Sequence, residues 1–377
     1  MEEKQARNPT DGIYHHLGVE LSCQSSQLEM DESKPVEAIV TKMDNIINMI
    51  NQNMMVGEHY TDIARLKSDN SFILISNHIH PSIRSGFVTR FNQYEDIPNC
   101  VANYLNPGHG LANSVAIRDT NEKDHDDSLT RIFVGFDSGH IIMLDTKLSI
   151  LSTKQFCHNI ITKIVLSPNQ QDRLVCGDFD GRLVLIDANR DMESLTYYDN
   201  AHSDPINDLV FRMDDVSDNT IITAGADHSI LLWDFRISRT DRPASTIAQV
   251  TSQPTALDCV AEHELIFGTE TGNLVRLDLR NSSKILQKHS LFSNQYEYDD
   301  DMSVIKIHPL KQHLSCVLTA HQYWLIERQN LDTIIDNHHS TYFKRVHLKN
   351  CLAINDDNDL LIIGNNFNHF LFPNILM

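Results

Sequence analysis

The chain carries 20 histidines and 51 acidic residues, enough raw material for a metal centre or for acid–base catalysis. A metal site needs His, Cys or carboxylate side chains at spacings that converge on one ion. His78 and His80 are two apart and His338 and His339 are adjacent, but neither pair has a further ligand at the spacing of a zinc finger or zinc protease. They read as loop histidines. The seven cysteines (Cys23, Cys100, Cys157, Cys176, Cys259, Cys316 and Cys351) are scattered and never form a CxxC pair. That pattern argues against a disulfide framework or zinc cluster and for a reducing compartment. GxSxG, GxGxxG, GxxxxGK[ST] and HExxH are all absent. Asp180 and Asp187 could pair as acid and base, but their repeat positions place one in a turn and the other at a strand end. The expectation is a non-enzyme without metal or cofactor.

Those positions follow from a repeat of a β-branched run, a small residue, a tight turn, a second apolar run and an acidic residue. Clear copies are Ile132–Asp145, Leu174–Asp187, Ile221–Asp234 and Leu265–Asp278, with a weaker one at Leu314–Glu327. Each predicts a β-hairpin, and Gly139, Gly181, His228 or Gly272 holds the turn position where a positive φ is often needed. The closing acidic residues are spaced by 42, 47, 44 and 49 residues. Fainter copies at Phe72–Asn92 and Leu361–Asn374 bring the hairpins to seven.

A period of about 40–45 residues, four strands per unit and a Trp-Asp ending is the signature of a WD40 blade. Trp233-Asp234 keeps the dipeptide, and Leu144-Asp145, Ile186-Asp187 and Leu277-Asp278 keep its apolar-then-acidic character. Strands precede the hairpins at Asp62–Leu66, Ile161–Ser167 and Ile206–Met213, and a fourth strand follows at Ala244–Val250. The predicted fold is all-β, a seven-bladed WD40 β-propeller over 40–377, with a disordered acidic N-terminal arm over 1–39. The last hairpin has no room for a fourth strand, so residues 40–56 are expected to supply it and close the ring. Their deletion should then lower the melting temperature sharply. Pro35–Ile50 alone suits a helix as well as a strand. Long acidic loops are expected at Asp119–Asp127 and Glu297–Asp301.

The net charge is −20. So acidic a surface repels phosphate, which argues against direct nucleic-acid binding, and it suits basic, Arg-rich partners. No apolar run approaches a membrane span, and the N-terminus lacks the basic and apolar regions of a secretory signal. The expected location is the cytoplasm, with the nucleus also open.

WD repeats carry a buried hydrogen-bond chain of a His before the blade, a Ser or Thr on the next strand, a turn Asp and the Trp. His202, 32 residues before Asp234, would occupy the first place, with Thr223, Asp227 and Trp233 as its partners. The reading is structural, because satisfied buried polar networks rigidify a fold.

Several stretches resemble the methylosome protein fifty/Valois family of methylosome WD-repeat subunits. They are Ala64-Arg65-Leu66-Lys67-Ser68-Asp69, the run Ile230–Arg236 followed by Pro243–Ile247, and His369-Phe370-Leu371-Phe372-Pro373. The resemblance implies a non-catalytic partner of a type II protein arginine methyltransferase that helps present Arg-Gly-rich or histone substrates for symmetric dimethylation. It also implies a tie to Tudor-domain proteins and germ-plasm assembly. In that family an aromatic in the first hairpin loop anchors the methyltransferase. Here the loop is read as His78–Gly86, without a Trp, so Ile83 and Arg84 become the candidate contacts. A different class stays open. Trp233-Asp234-Phe235-Arg236 and Leu277-Asp278-Leu279-Arg280 resemble the Asp-x-Arg box of WD40 substrate receptors for cullin-RING ubiquitin ligases, with Arg236 and Arg280 as the docking residues.

Overall fold

The structure is a computed structural model. It describes residues 58–372 apart from 68, 81–82, 92–102, 106, 120–128, 190, 282–284, 293–301, 311–312, 321, 339–347, 354–359 and 365–368. The arm expected at 1–39, the closing strand expected at 40–56 and most of the two acidic loops lie outside the described residues.

Among the described residues every regular element is a β-strand. Blade 1 holds β1 (Glu58–Arg65), β2 (Phe72–His80), β3 (Ile83–Phe91) and β4 (Asn103–Leu105). Blade 2 holds β5 (Ala112–Arg118), β6 (Arg131–Phe136), β7 (His140–Leu144) and β8 (Ile150–Gln155). Blade 3 holds β9 (Ile161–Leu166), β10 (Arg173–Asp178), β11 (Leu183–Asp187) and β12 (Glu193–Tyr198). Blade 4 holds β13 (Ile206–Phe211), β14 (Thr220–Gly225), β15 (Ser229–Asp234) and β16 (Ser245–Gln249). Blade 5 holds β17 (Pro254–Ala261), β18 (Glu264–Thr269), β19 (Asn273–Asp278) and β20 (Ile285–Ser290). Blade 6 holds β21 (Val304–Pro309), β22 (Leu314–Thr319), β23 (Tyr323–Glu327) and β24 (Asn330–His338). Blade 7 holds β25 (Leu348–Ala353), β26 (Leu360–Gly364) and β27 (His369–Phe372).

Strands pair antiparallel in chain order within each blade. The first strand of each blade lies against the first strand of the next, and β25 lies against β1, so the ring closes. Each blade is therefore sandwiched between two others. Its middle strands are buried on both sides, which is why Ile132-Phe133-Val134 and Leu183-Val184-Leu185-Ile186 read as unbroken apolar runs instead of alternating. The apolar clusters fall at the seams. One joins Val175 and Leu183 of blade 3 to Leu209 and Trp233 of blade 4, and another joins Ile222 and Ile230 of blade 4 to Leu257 and Phe267 of blade 5.

The hairpin turns adopt the backbone their residues suggested. Gly139, Gly181 and Gly272 have φ of 76°, 78° and 72°, and His228 holds the same turn of blade 4 at 64°. One stretch differs from its sequence reading. His78–Gly86 is strand almost throughout, because β2 extends to His80 and β3 starts at Ile83, with Ile79 opposite Arg84. The β-branched Ile79 and Ile83 favour continued pairing, which leaves only Pro81-Ser82 between the strands.

A second regularity lies at the start of each blade. The first strand slips by one residue against the second at positions 61, 113, 162, 207, 255, 305 and 349. A β-bulge there re-aims the extra side chain. Four of them reach the next blade's backbone: Thr61 Oγ1 donates to the Ala112 carbonyl (2.9 Å), Thr162 to Ile206 (2.6 Å), Asn207 Nδ2 to Pro254 (2.8 Å) and Thr255 to Val304 (2.6 Å). One residue on, Asp62, Ser114 and Asp208 accept the backbone N–H of Val115, Ile164 and Leu257 across the seams between blades 1 and 2, 2 and 3, and 4 and 5, at 3.0, 3.1 and 2.9 Å.

Candidate functional site

In a meander that starts at the ring axis, the turns between second and third strands and the links between blades share one face, here the upper face. The turns from first to second strand and from third to fourth share the lower face. This places Asp227 and Arg84 toward the upper face and Arg236 and Arg280 at the lower.

The link from blade 3 to blade 4 brings His202 over the end of β14. Its ring is enclosed, with 2% of the residue exposed. Nε2 lies 2.6 Å from Thr223 Oγ1, and Nδ1 lies 3.0 Å from each oxygen of Asp227. Trp233 Nε1 donates to Thr223 Oγ1 at 3.2 Å. Two of these roles are fixed, because an indole N–H can only donate and a carboxylate can only accept. With the imidazole neutral, Nδ1–H donates to Asp227 and Nε2 accepts the Thr223 hydroxyl, so the chain runs in one direction from Trp233 to Asp227.

The sequence reading named His202, Thr223, Asp227 and Trp233, and the structure brings all four together. It missed two members. Ser229 Oγ donates to Asp227 Oδ1 at 2.6 Å, and the backbone N–H groups of Ser203 and Ser229 reach the same carboxylate at 3.1 Å. Gly225 is the other. A Cβ there would sit 2.1 Å from His202 Nδ1 and 2.6 Å from Asp227 Oδ1, so only glycine lets the imidazole approach. Burial alone would raise the Asp227 carboxyl, but the hydrogen bonds from His202 and Ser229 outweigh it and hold the group well below the usual carboxylate range. Every polar side-chain atom of this cluster is engaged, so the arrangement rigidifies blade 4.

The other candidates lie elsewhere. Arg84 is exposed on β3 at the rim of blade 1; the Ile83 side chain falls outside the described residues. Arg236 and Arg280 occupy equivalent places on blades 4 and 5, with side chains 64% and 67% exposed. Each guanidinium is bonded within its own blade, Arg236 to Asp234 at 2.6 Å and Arg280 to Asp278 at 2.9 Å. Asp180 accepts from Asn159 in the β10–β11 turn, and Asp187 accepts the Asn189 N–H at the far end of β11, so the two do not converge. His78 and His80 lie on β2 and His338 ends β24, so these three are strand and not loop residues as the sequence suggested; their side chains, and all of His339, fall outside the described residues. Among the described residues no group of three or more His, Cys, Asp or Glu is arranged to hold a metal ion.

The seam between blades 5 and 6 holds a second polar cluster that the sequence did not disclose. Asp258 Oδ2 is buried without a hydrogen bond. Burial pushes its carboxyl up to about 6 against the pull of Arg328 and Lys306. Burial, with Lys306, Arg328 and Lys163 nearby, pushes the His308 imidazole down to about 3. At the ring axis, Lys163 Nζ lies 3.3 Å from Asp208 Oδ1.

The upper face of blades 3 to 5 is acidic. Asp180, Asp204 and Glu270 are exposed in its turns and links, as are Phe179, at 49% exposure, and Asp199, which pairs with Arg182 at 2.7 Å. Sequence charge foretold acid but not this placement.

No family model matches the chain, and no curated protein does. Among solved structures it is similar to the WD40 β-propeller domain of Doa1, with 13% identity and a TM-score of 0.61 over 84% of this chain and 93% of that one. At that identity the likeness concerns the fold alone. With seven antiparallel blades in a closed ring and a His–Thr–Asp–Trp chain in the fourth, the molecule is a WD40 β-propeller.

Proposed function

We propose that the chain is a non-catalytic scaffold that binds a type II protein arginine methyltransferase and helps present Arg-Gly-rich or histone segments for symmetric dimethylation. The observation that supports this reading is the upper face. Exposed Asp180, Asp204 and Glu270 share it with exposed Phe179 and with Asp199, which pairs with Arg182; it is a surface that attracts guanidinium groups by charge and offers one an aromatic face to stack on. Arg84, the proposed contact for the methyltransferase with Ile83, belongs to the same face at blade 1. An association with Tudor-domain proteins in germ-plasm assembly belongs to the same proposal, as does residence in the cytoplasm and nucleus.

The test is a pull-down of the purified chain against the type II methyltransferase, followed by methylation of an Arg-Gly-rich tail. Co-elution with raised methylation is the expected result. Arg84→Glu should abolish co-elution, whereas Asp180→Asn with Asp204→Asn should keep it and lose the stimulation. Absence of co-elution would end this reading.

A second reading has its own observation. Arg236 and Arg280 present matching exposed guanidiniums on neighbouring blades of the lower face, as a receptor docking on a cullin-RING linker would need. Their pairing with Asp234 and Asp278 supplies a local reason for both residues, which is why it ranks second. Co-precipitation of the linker, lost on Arg236→Ala with Arg280→Ala, would reverse the ranking.

A further inference from the structure

The outer strands of neighbouring blades diverge, and two of the described seams are laced there by side chains. Between blades 5 and 6, Gln287 Nε2 donates to Asn330 and Asp332 at 3.0 and 2.9 Å, and His289 Nδ1 lies 2.7 Å from Asp332 Oδ1. Phe292 stacks edge-on against Trp324 in the same seam, with ring centroids 5.3 Å apart. Between blades 2 and 3, Lys154 reaches Asp191 at 3.9 Å. Between blades 4 and 5, among the described residues, no hydrogen bond or ion pair joins β16 to β20. A groove of about 790 Å³ stays open there.

Its floor is apolar, made of Ile247, Phe267, Val275 and Leu277, with Ile285 on the lip at 59% exposure. The rest of the lining is Thr, Ser, Asn, Gln and Ala apart from Val250 and one charged residue, Lys288. In a chain of net charge −20, the groove holds no carboxylate at all. Along one wall runs β16, the outermost strand of its blade, paired only with β15. Val250 N–H donates inward to the His228 carbonyl at 2.9 Å, so by alternation the Gln249 N–H faces the open edge.

We propose that this groove binds an extended segment of a partner protein, which adds to β16 as a fifth strand. Its alternate apolar side chains pack against exposed Ile285 at the lip, over the apolar floor, and a carboxylate of the segment faces Lys288. Backbone pairing along an open edge supplies affinity, and the apolar seats supply register. Charge decides the occupant. A Lys or Arg entering the groove would meet Lys288 and no acid, and an unpaired charge is costly to desolvate. The groove thus selects against the basic segments that the upper face attracts, and it stands whether or not the methyltransferase reading does.

The experiment pans a random peptide library on the full-length chain and measures the enriched peptides by fluorescence anisotropy. Enriched sequences are expected to alternate apolar residues, to carry an Asp or Glu and to lack Lys and Arg. Lys288→Glu, a change at an exposed side chain, should weaken them about tenfold without moving the melting temperature. Gln249→Pro should abolish binding by removing the edge N–H; if that variant fails to fold, Lys288→Glu still decides. Failure to enrich any peptide, or enrichment of basic peptides indifferent to both substitutions, overturns the proposal. So does self-association of the wild-type chain that Gln249→Pro relieves, because the occupant would then be a second copy.

Discussion

At the scale of the residue, the His202 imidazole is held by a carboxylate on one nitrogen and a hydroxyl on the other, with scarcely any water. Thr223→Val removes the hydroxyl that serves both His202 and Trp233 and leaves two buried nitrogens unpaired. At about 1–3 kcal/mol for such a group, the urea midpoint should fall by the equivalent of about 2 kcal/mol, and Thr223→Ser should restore most of it. An unchanged midpoint would mean that the chain of bonds contributes nothing. Because the Asp227 carboxyl sits below its unfolded value, its contribution is complete above about pH 4 and is lost as the pH falls further. The acid-unfolding curve of Asp227→Asn should accordingly lack that component. His202, Thr223, Asp227 and Trp233 were legible in the sequence because their spacing within a repeat fixes which side chains meet. Ser229 and Gly225 were not, since a serine one residue past a turn and a glycine at a strand end have many uses. Only the 2.1 Å approach to the imidazole singles out that glycine.

At the scale of the element, blades are joined by side chains that bulges turn toward the next blade. Thr255→Val deletes the hydroxyl bonded to the Val304 carbonyl, and the expected loss is about 1 kcal/mol, read by thermal unfolding. In the turn of blade 4, His228→Gly should raise stability by about 1 kcal/mol, since a non-glycine residue at φ 64° carries a strain that Gly139, Gly181 and Gly272 avoid. Asp258 gives the opposite pH signature to Asp227. Its folded carboxyl, raised to about 6, favours the protonated native state, so stability is highest below about pH 4 and declines as pH rises through 6. Asp258→Asn should therefore melt higher than the parent at pH 7 and match it near pH 4. Hairpins were legible from the alternation of apolar runs and turns. The extent of β2 and β3 was not, because Pro81, Ser82 and Ser85 read as loop residues while the ladder from Phe72–Phe91 to His80–Ile83 carries the pairing past them. The bulges left no trace, since Thr61, Thr162 and Thr255 look like ordinary strand threonines until the register is known.

At the scale of the molecule, ring closure through β1 and β25 and the net charge of −20 govern behaviour together. Charge acts over about a Debye length, so capture of an Arg-rich segment by the upper face should slow steeply as salt rises, with little change in the dissociation rate. Stopped-flow association at two ionic strengths would read this, and a salt-independent on-rate would deny the acidic face its role. The number of blades could be counted from the sequence period, but the division of charge could not. Asp180, Asp204 and Glu270 are far apart in the chain, and only the meander assigns them to one face. Arg84 belongs to that face too. An enzyme seated at blade 1 and a basic tail held a few blades away would share one molecule, and the tail would meet the active site as a tethered reactant. Its effective concentration would then be set by the length of free tail between the two points. The scaffold would lower the apparent KM of long Arg-rich substrates and leave kcat alone, and a peptide too short to span from Phe179 to the enzyme would gain nothing from its presence.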